Sequence, residues 1–282
     1  MGLPMARHLM AGGHAVAVHD TDAQRLVLAQ AAGLTMATDL GAALAQADGA
    51  MSSLPHDAAL QSAAAVVAQH LPQGGFYLDT STVSVAASAA VAKLFAPTGC
   101  DYLRVTVSGN NHMAEAGQLT LMASGPQAVW QRLAPLLKSW GSVQFYLGEG
   151  EQARLMKLVI NLMIGQTSAM LAEALSLGSK GGLAWADLWQ VIGASAVASP
   201  IVKAKSVQLS QRDFTPTFTV PQMLKDIDLI LAEGDALQVP LMQTAMTGFK
   251  VLFSNEQPVL AQLRNLGLSL VNRTEPAKHF FI

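Results

Sequence analysis

At 282 residues the chain is long enough for two domains of ordinary size, and a composition 51% apolar and 13% charged excludes disorder and implies extensive buried surface, part of it between subunits. The net charge of −2 gives no electrostatic footprint for nucleic acid or an anionic membrane, so small molecules and further copies of the chain are the expected partners. One cysteine, Cys100, permits neither an intramolecular disulfide nor a cysteine-based metal site, and a buried core thiol in a reducing cytoplasm is expected. The seven histidines lack zinc-ligand spacing, so no metal is expected, and no basic segment followed by an apolar run marks a signal peptide.

From the start to about residue 147, helical stretches alternate with short apolar or β-branched runs. The first helix is expected over 3–11, followed by a strand at 15–19, a helix at 22–32 and another at 40–47. Strands at 50–54 and 76–79 bracket a helix at 58–69, and a helix at 84–95 leads to a strand at 102–107. A strand at 119–123, a helix at 126–137 and a strand at 143–147 complete the series. Strands separated by helices imply a mostly parallel sheet covered on both faces, that is, a doubly wound α/β domain over 1–149.

After Gly150 strand signals cease, and the remainder, 150–282, is expected to be all-α, with turns at Gly181–Gly182, Ser199–Pro200, Pro216 and Pro240. A long helix over about 151–178 would leave the first domain and form the backbone of the second. Its uncharged stretch, 158–172, is too short to span a bilayer and reads as a helix enclosed by its own domain and a partner subunit.

Several motifs lie on this frame. The opening Met1-Gly2-Leu3-Pro4-Met5-Ala6 starts a helix, and Asp20 ends the next strand. Leu54-Pro55 and Asp79-Thr80-Ser81-Thr82 follow two later strands. Ser108-Gly109-Asn110 follows the strand at 102–107, and a serine hydroxyl with consecutive backbone amides at a strand end suits a carboxylate. Lys157 and Asn161, four apart, share one face of the long helix, and the uncharged run begins right after the lysine. A helix-start lysine reaching back to solvent is the plainer alternative. Phe218 and Lys225-Asp226 come later, and a surface charge pair would explain the latter as well.

In order and spacing these motifs resemble the β-hydroxyacid dehydrogenase family across essentially the whole chain. The resemblance implies a Rossmann-like domain followed by an all-α domain, with hydride transfer between NAD(P) and a small 3-hydroxy acid, of 3-hydroxyisobutyrate or tartronate semialdehyde type. It places Gly2, Leu3, Pro4, Met5, Asp20, Leu54, Pro55, Thr82 and Lys225 at the cofactor. Ser108, Gly109, Asn110 and Asn161 fall at the substrate, and Lys157 falls at the catalytic position. Gly2 matches the third glycine of the dinucleotide fingerprint. The strand and first two glycines are missing, so a reading frame beginning about ten residues upstream is expected. Asp20 at the ribose position favours NAD over NADP, because a carboxylate repels a 2′-phosphate; capping of the next helix is the alternative, and the further motif matches favour the ribose. The chain departs from the family pattern at Val105-Thr106, in place of Ala-Pro, and at Asn110, in place of a second glycine.

Ile160 stands where 6-phosphogluconate dehydrogenases carry a histidine, and Lys157 stands where imine reductases usually replace the lysine, which argues against both. A non-catalytic structural oligomer of the same fold, without cofactor binding, is the competing expectation. A homodimer or homotetramer fits either function.

Overall fold

The computed structural model describes residues 1–213, 215 and 218–239. In chain order the elements are α1 (Gly2–Ala11), β1 (Ala17–Val18), α2 (Ala23–Ala31), β2 (Thr35–Met36), α3 (Leu40–Leu44), β3 (Gly49–Ser52), α4 (Asp57–His70), β4 (Phe76–Asp79), α5 (Val85–Phe95), β5 (Asp101–Ser108), α6 (Asn111–Glu115), β6 (Thr120–Ser124), α7 (Gln127–Leu137), β7 (Val143–Tyr146), α8 (Gln152–Lys180), α9 (Trp185–Ala194), α10 (Pro200–Leu209) and α11 (Val220–Ala236). Two compact units result, Met1–Leu158 and Val159–Ile282. The division falls later than residue 149 because the first turns of α8 are bonded into the first unit: Thr106 Oγ1 donates to Ala153 O at 2.9 Å, and Ala153 N donates to Ser124 Oγ at 3.1 Å.

In the first unit β3, β4, β5, β6 and β7 form one sheet in that order, parallel throughout except for the antiparallel β5–β6 pair. Strands β1 and β2 pair in parallel as a separate two-stranded sheet. No strand described here joins β1 to β3, the position that a doubly wound order of 3-2-1-4-5-6 gives to its first strand.

Side chains alternate between the two faces of the main sheet, and each face has its own core. Leu78, Leu103, Val105, Leu121 and Ala123 pack with Met5 and Leu9 of α1 and Trp130, Leu133 and Leu137 of α7. Tyr77 and Tyr102 face the other way, against Leu60, Ala64 and Val67 of α4 and Val91 and Phe95 of α5. The rings of Tyr77, Tyr102 and Phe95 stack with centroids 5.1 to 5.9 Å apart. Towards the C-terminal ends of β4 and β5 this second face turns from aromatic to polar, with buried Asp79, Arg104 and Thr106. Cys100 is buried beside it, its Sγ 3.2 Å from Pro72 O, as a core thiol.

The turn after Trp140 admits no side chain. A Cβ on Gly141 would lie 1.7 Å from the backbone oxygen of Leu119, at the entry to β6. Because backbone cannot swing aside as a side chain can, Gly141→Ala is expected to destabilise the protein by about 3 kcal/mol. A lowered midpoint in chemical denaturation would show it; an unchanged midpoint would mean that the turn is looser than drawn.

In the second unit every described element is a helix, and its core is built from Leu171, Leu175, Leu188, Trp189, Val202 and Leu209. Gly182, at φ +84°, makes the turn between α8 and α9, and Ser199 caps α10 by accepting from Val202 N at 3.4 Å. The expected turns at Pro216 and Pro240, like His279, lie outside the described residues.

Helix α8 is expected to be enclosed partly by its own domain and partly by a partner subunit. Within its 29 residues a stretch of 18 reaches a mean hydropathy of 1.4, apolar enough to cross a membrane by length and composition, and 28% of that stretch is buried in the chain. Met163 and Leu177 are 64% and 77% exposed, and Met170 is exposed between them. Among the described residues, one side of this helix is buried and an apolar row on it is exposed.

Candidate active site

The N-terminus of α1 has the form of an anion site. Met1 at the cap makes no side-chain hydrogen bond to the helix, and no acidic residue occupies the first turn. The amides of Gly2 and Leu3 are thus available to a phosphate, with the positive end of the helix dipole behind them. Pro4 has no N–H, and Met5 N already bonds to Met1 O at 3.4 Å. Both side chains are buried, so these two residues, expected at the cofactor, hold the turn from behind.

At the end of β1, Asp20 does not cap the following helix. Asp22 does so, accepting from Gln24 N at 2.9 Å, while Asp20 Oδ1 accepts from Asp22 N at 3.0 Å in a tight Asx turn. This turn engages one oxygen of Asp20.

Two further loops are tied to each other. Leu54 N donates to Ser81 Oγ at 2.7 Å, and Ser84 donates to Asp57 through its N–H at 2.9 Å and its hydroxyl at 2.6 Å. Leu54 and Pro55 are thereby fixed beside Ser81 and Thr82. Thr82 is half-buried.

Beneath these loops lies a buried ion pair that sequence reasoning did not find. Asp79 and Arg154 both have fully buried side chains. Asp79 Oδ2 accepts from Arg154 Nη2, while Oδ1 accepts from the hydroxyls of Ser52 and Ser81, the latter at 2.6 Å. Arg154 donates further, from Nε to Ser88 Oγ at 3.1 Å, from Nη1 to Ser81 O at 2.5 Å and from Nη2 to Tyr102 Oη at 3.1 Å. Burial alone would lower the Arg154 pKa, but Asp79 beside it raises it above its ordinary value, so the guanidinium stays charged. Burial pushes the phenols of Tyr77 and Tyr102 up, and both remain neutral. A second pair, Arg104 with Glu151, stands alongside, with the Arg104 guanidinium 4.5 Å from the centre of the Tyr102 ring. A charge inside an otherwise apolar strand was the available signal for Arg104, since a buried charge requires a partner.

The candidate substrate loop begins where β5 ends. Gly109 adopts φ +140°, a backbone state side chains rarely reach, and a Cβ there would come within 2.7 Å of Leu119 Cδ2. Asn110 caps α6, its Oδ1 accepting from Met113 N at 3.0 Å, which assigns a structural task to the residue standing where the family has glycine. His112 is exposed on α6. Lys157 is half-buried, and its Nζ donates to Val107 O at 2.8 Å, one residue before Ser108. The lysine therefore reaches the mouth of this loop and does not extend to solvent.

In the second unit Asn161 is buried, and its Nδ2 donates to Asp226 Oδ2 at 2.6 Å. A carboxylate only accepts, which fixes the amide orientation and leaves Oδ1 facing away from Asp226. Lys225 Nζ lies 2.9 Å from Asp226 Oδ1, an ion pair without directed hydrogen-bond geometry. Asp226 is thus the centre that Asn161 and Lys225 share; the sequence drew attention to its neighbours. Phe218 is exposed, before α11.

Comparison with known proteins places the chain among relatives. Residues 1–148 match the family model for the NAD-binding domain of 6-phosphogluconate dehydrogenase, and residues 151–252 match that for the NAD-binding domain of NADP-dependent 3-hydroxyisobutyrate dehydrogenase. The chain is 32% identical to 2-(hydroxymethyl)glutarate dehydrogenase of Eubacterium barkeri over 87% of its own length and 83% of the relative's. It is 33% identical to the chloroplastic glyoxylate/succinic semialdehyde reductase 2 of Arabidopsis thaliana over 64% of its length, where it spans about half of that relative (51%). Among solved structures, Mycobacterium tuberculosis 3-hydroxyisobutyrate dehydrogenase with L-serine superposes with a TM-score of 0.80 at 25% identity, covering 94% of this chain and 96% of that one. These matches show that the chain belongs to the β-hydroxyacid dehydrogenase family, whose members carry out NAD(P)-dependent hydroxyacid oxidoreduction.

Proposed function

We propose that this protein transfers a hydride between NAD and a short 3-hydroxy acid or its semialdehyde, with Lys157 as the group that exchanges the hydroxyl proton. The observation that carries this reading is the 2.8 Å bond from Lys157 Nζ to Val107 O, which holds an amine beside Ser108 and Gly109. The Ser108 hydroxyl and the backbone amides after it would receive the substrate carboxylate, and the constrained Gly109 keeps that backbone uncovered. When bound, the nicotinamide supplies the acceptor or donor of the hydride. As the carbinol is oxidised, the proton on its oxygen passes to the Lys157 amine; in the reverse direction the ammonium returns it. Gly2 and Leu3 would hold the pyrophosphate, with Leu54, Pro55 and Thr82 bordering the cofactor.

The test is to follow nicotinamide absorbance with 3-hydroxyisobutyrate, 2-(hydroxymethyl)glutarate, glyoxylate and succinic semialdehyde, the compounds in the relatives' names, together with tartronate semialdehyde. Turnover of at least one supports the proposal, and a folded protein that binds NAD but turns over none of them refutes it.

The preference for NAD rests on Asp20, whose second oxygen would accept from the ribose hydroxyls and repel a 2′-phosphate. Asp20→Asn is expected to shift the NAD-to-NADP ratio of kcat/KM towards NADP by about tenfold, the size of one charge interaction a few ångströms apart near a protein surface. An unchanged ratio would remove Asp20 from the cofactor assignment.

Association into a dimer or tetramer is supported by the open row of Met163, Met170 and Leu177, spaced seven residues apart along one side of α8. Met163→Glu is expected to lower the mass in light scattering to that of a smaller assembly; an unaltered mass places the contact elsewhere.

A further inference from the structure

The segment of α8 just before Lys157 is its most heavily bonded part. Arg154 lies three residues earlier, close to one helical turn, so the two residues share a side of the helix, and a rotation or slide of α8 that displaced one would displace the other. Arg154 commits all three of its nitrogens, and its anchors come from different elements: Asp79 at the end of β4, the Ser81 carbonyl in the loop that also holds Thr82, Tyr102 on β5 and Ser88 on α5. Asp79 in turn gives its other oxygen to Ser52 and Ser81, so this one carboxylate joins the end of β3, the cofactor-side loop and α8. Apolar packing would hold the helix as firmly, but it would tolerate slip; a guanidinium with directed bonds on several sides fixes both rotation and height.

We propose that Arg154, clamped by Asp79, is the positioning residue for Lys157, setting the lysine amine against the substrate loop and registering it to the loop of Ser81 and Thr82. The proposal rests on the assignment of Lys157 as the proton-exchanging group. Arg154 touches neither substrate nor cofactor. Its influence passes through the helix, and a displacement of the lysine by about an ångström is enough to cost about a hundredfold in rate.

The experiment compares Arg154→Lys and Tyr102→Phe with Leu133→Val, a core substitution on the opposite face of the sheet, in the full chain. Three readouts are taken: kcat and KM, the pH profile of kcat, and acetylation of Lys157 by limiting acetic anhydride relative to exposed Lys93, read by peptide mass spectrometry. In Arg154→Lys, kcat is expected to fall by about a hundredfold with little change in cofactor KM, the pH profile to shift, and the relative acetylation of Lys157 to change. Tyr102→Phe, which removes one acceptor from the guanidinium, is expected to show the same pattern more weakly. Leu133→Val, although less thermally stable than the parent, is expected to keep the parental pH profile and labelling.

If Arg154→Lys does not fold, Tyr102→Phe decides the matter. Variants that lose stability while keeping the parental pH profile and Lys157 labelling overturn the proposal. Labelling needs no turnover, so an Arg154-dependent Lys157 in a protein that oxidises no hydroxy acid would uphold the positioning and defeat the functional assignment.

Discussion

Replacing Lys157 with alanine is expected to lower kcat by about a thousandfold, within the range of roughly 10² to 10⁴ that a positioned proton-transfer group contributes. NAD affinity, measured by calorimetry, should stay near that of the parent, because the proposed phosphate-binding turn of α1 and the proposed ribose acceptor Asp20 belong to other elements. The alanine variant also loses the bond to Val107 O, but that carbonyl lies at the loop mouth, where water can replace the amine. Lys157→Arg separates two accounts of the residue. Arginine keeps the positive charge but does not release its proton in the working range, so it can stabilise developing negative charge but cannot exchange a proton. If proton exchange is the task, the arginine variant should be nearly as slow as the alanine variant. If charge alone matters, it should recover much of the rate. An alanine variant with kcat within about threefold of the parent would be incompatible with general acid–base catalysis by Lys157.

The features legible in the sequence were those with a short period or a local signal. Strand β4 falls on its expected residues, 76–79, because an apolar run ending in Asp-Thr-Ser-Thr signals both a strand and its stop. The helix carrying Lys157 could be placed because an ionisable residue at the edge of a long apolar run is conspicuous. Strand β2, with two residues, and α6, with five, escaped because neither is long enough to establish a period. The Asp79–Arg154 pair escaped for a different reason: its members are 75 residues apart and meet only because β4 lies inside the sheet with the start of α8 across its end. Asp79 was visible as part of a motif, and no local pattern pointed from it to Arg154. The enclosure expected of α8, by its own domain and a partner subunit, follows from its apolar surface, which calls for cover. Composition does not say which molecule provides that cover, and among the described residues Met163, Met170 and Leu177 stay exposed.

Asp79→Asn is expected to cost about 3 to 5 kcal/mol of stability, the usual consequence of leaving one member of a buried ion pair without its counter-charge. The substitution preserves shape and leaves an acceptor for Ser52 and Ser81, so the loss isolates the charge of Arg154, which is fully buried and has no route to solvent. The double variant Asp79→Asn with Arg154→Met then gives a sharper test, since methionine fills much of the same volume and removes the stranded charge. It should be more stable than Asp79→Asn alone, which is a large coupling between residues in direct contact and not the sum of two losses. Equilibrium urea denaturation of the parent, both single variants and the double variant measures that coupling. Additive losses would mean that the pair acts as two independent side chains. A stable double variant with a displaced Lys157 would show that the ion pair is retained for geometry more than for stability, since an apolar replacement can satisfy the fold but cannot direct the helix.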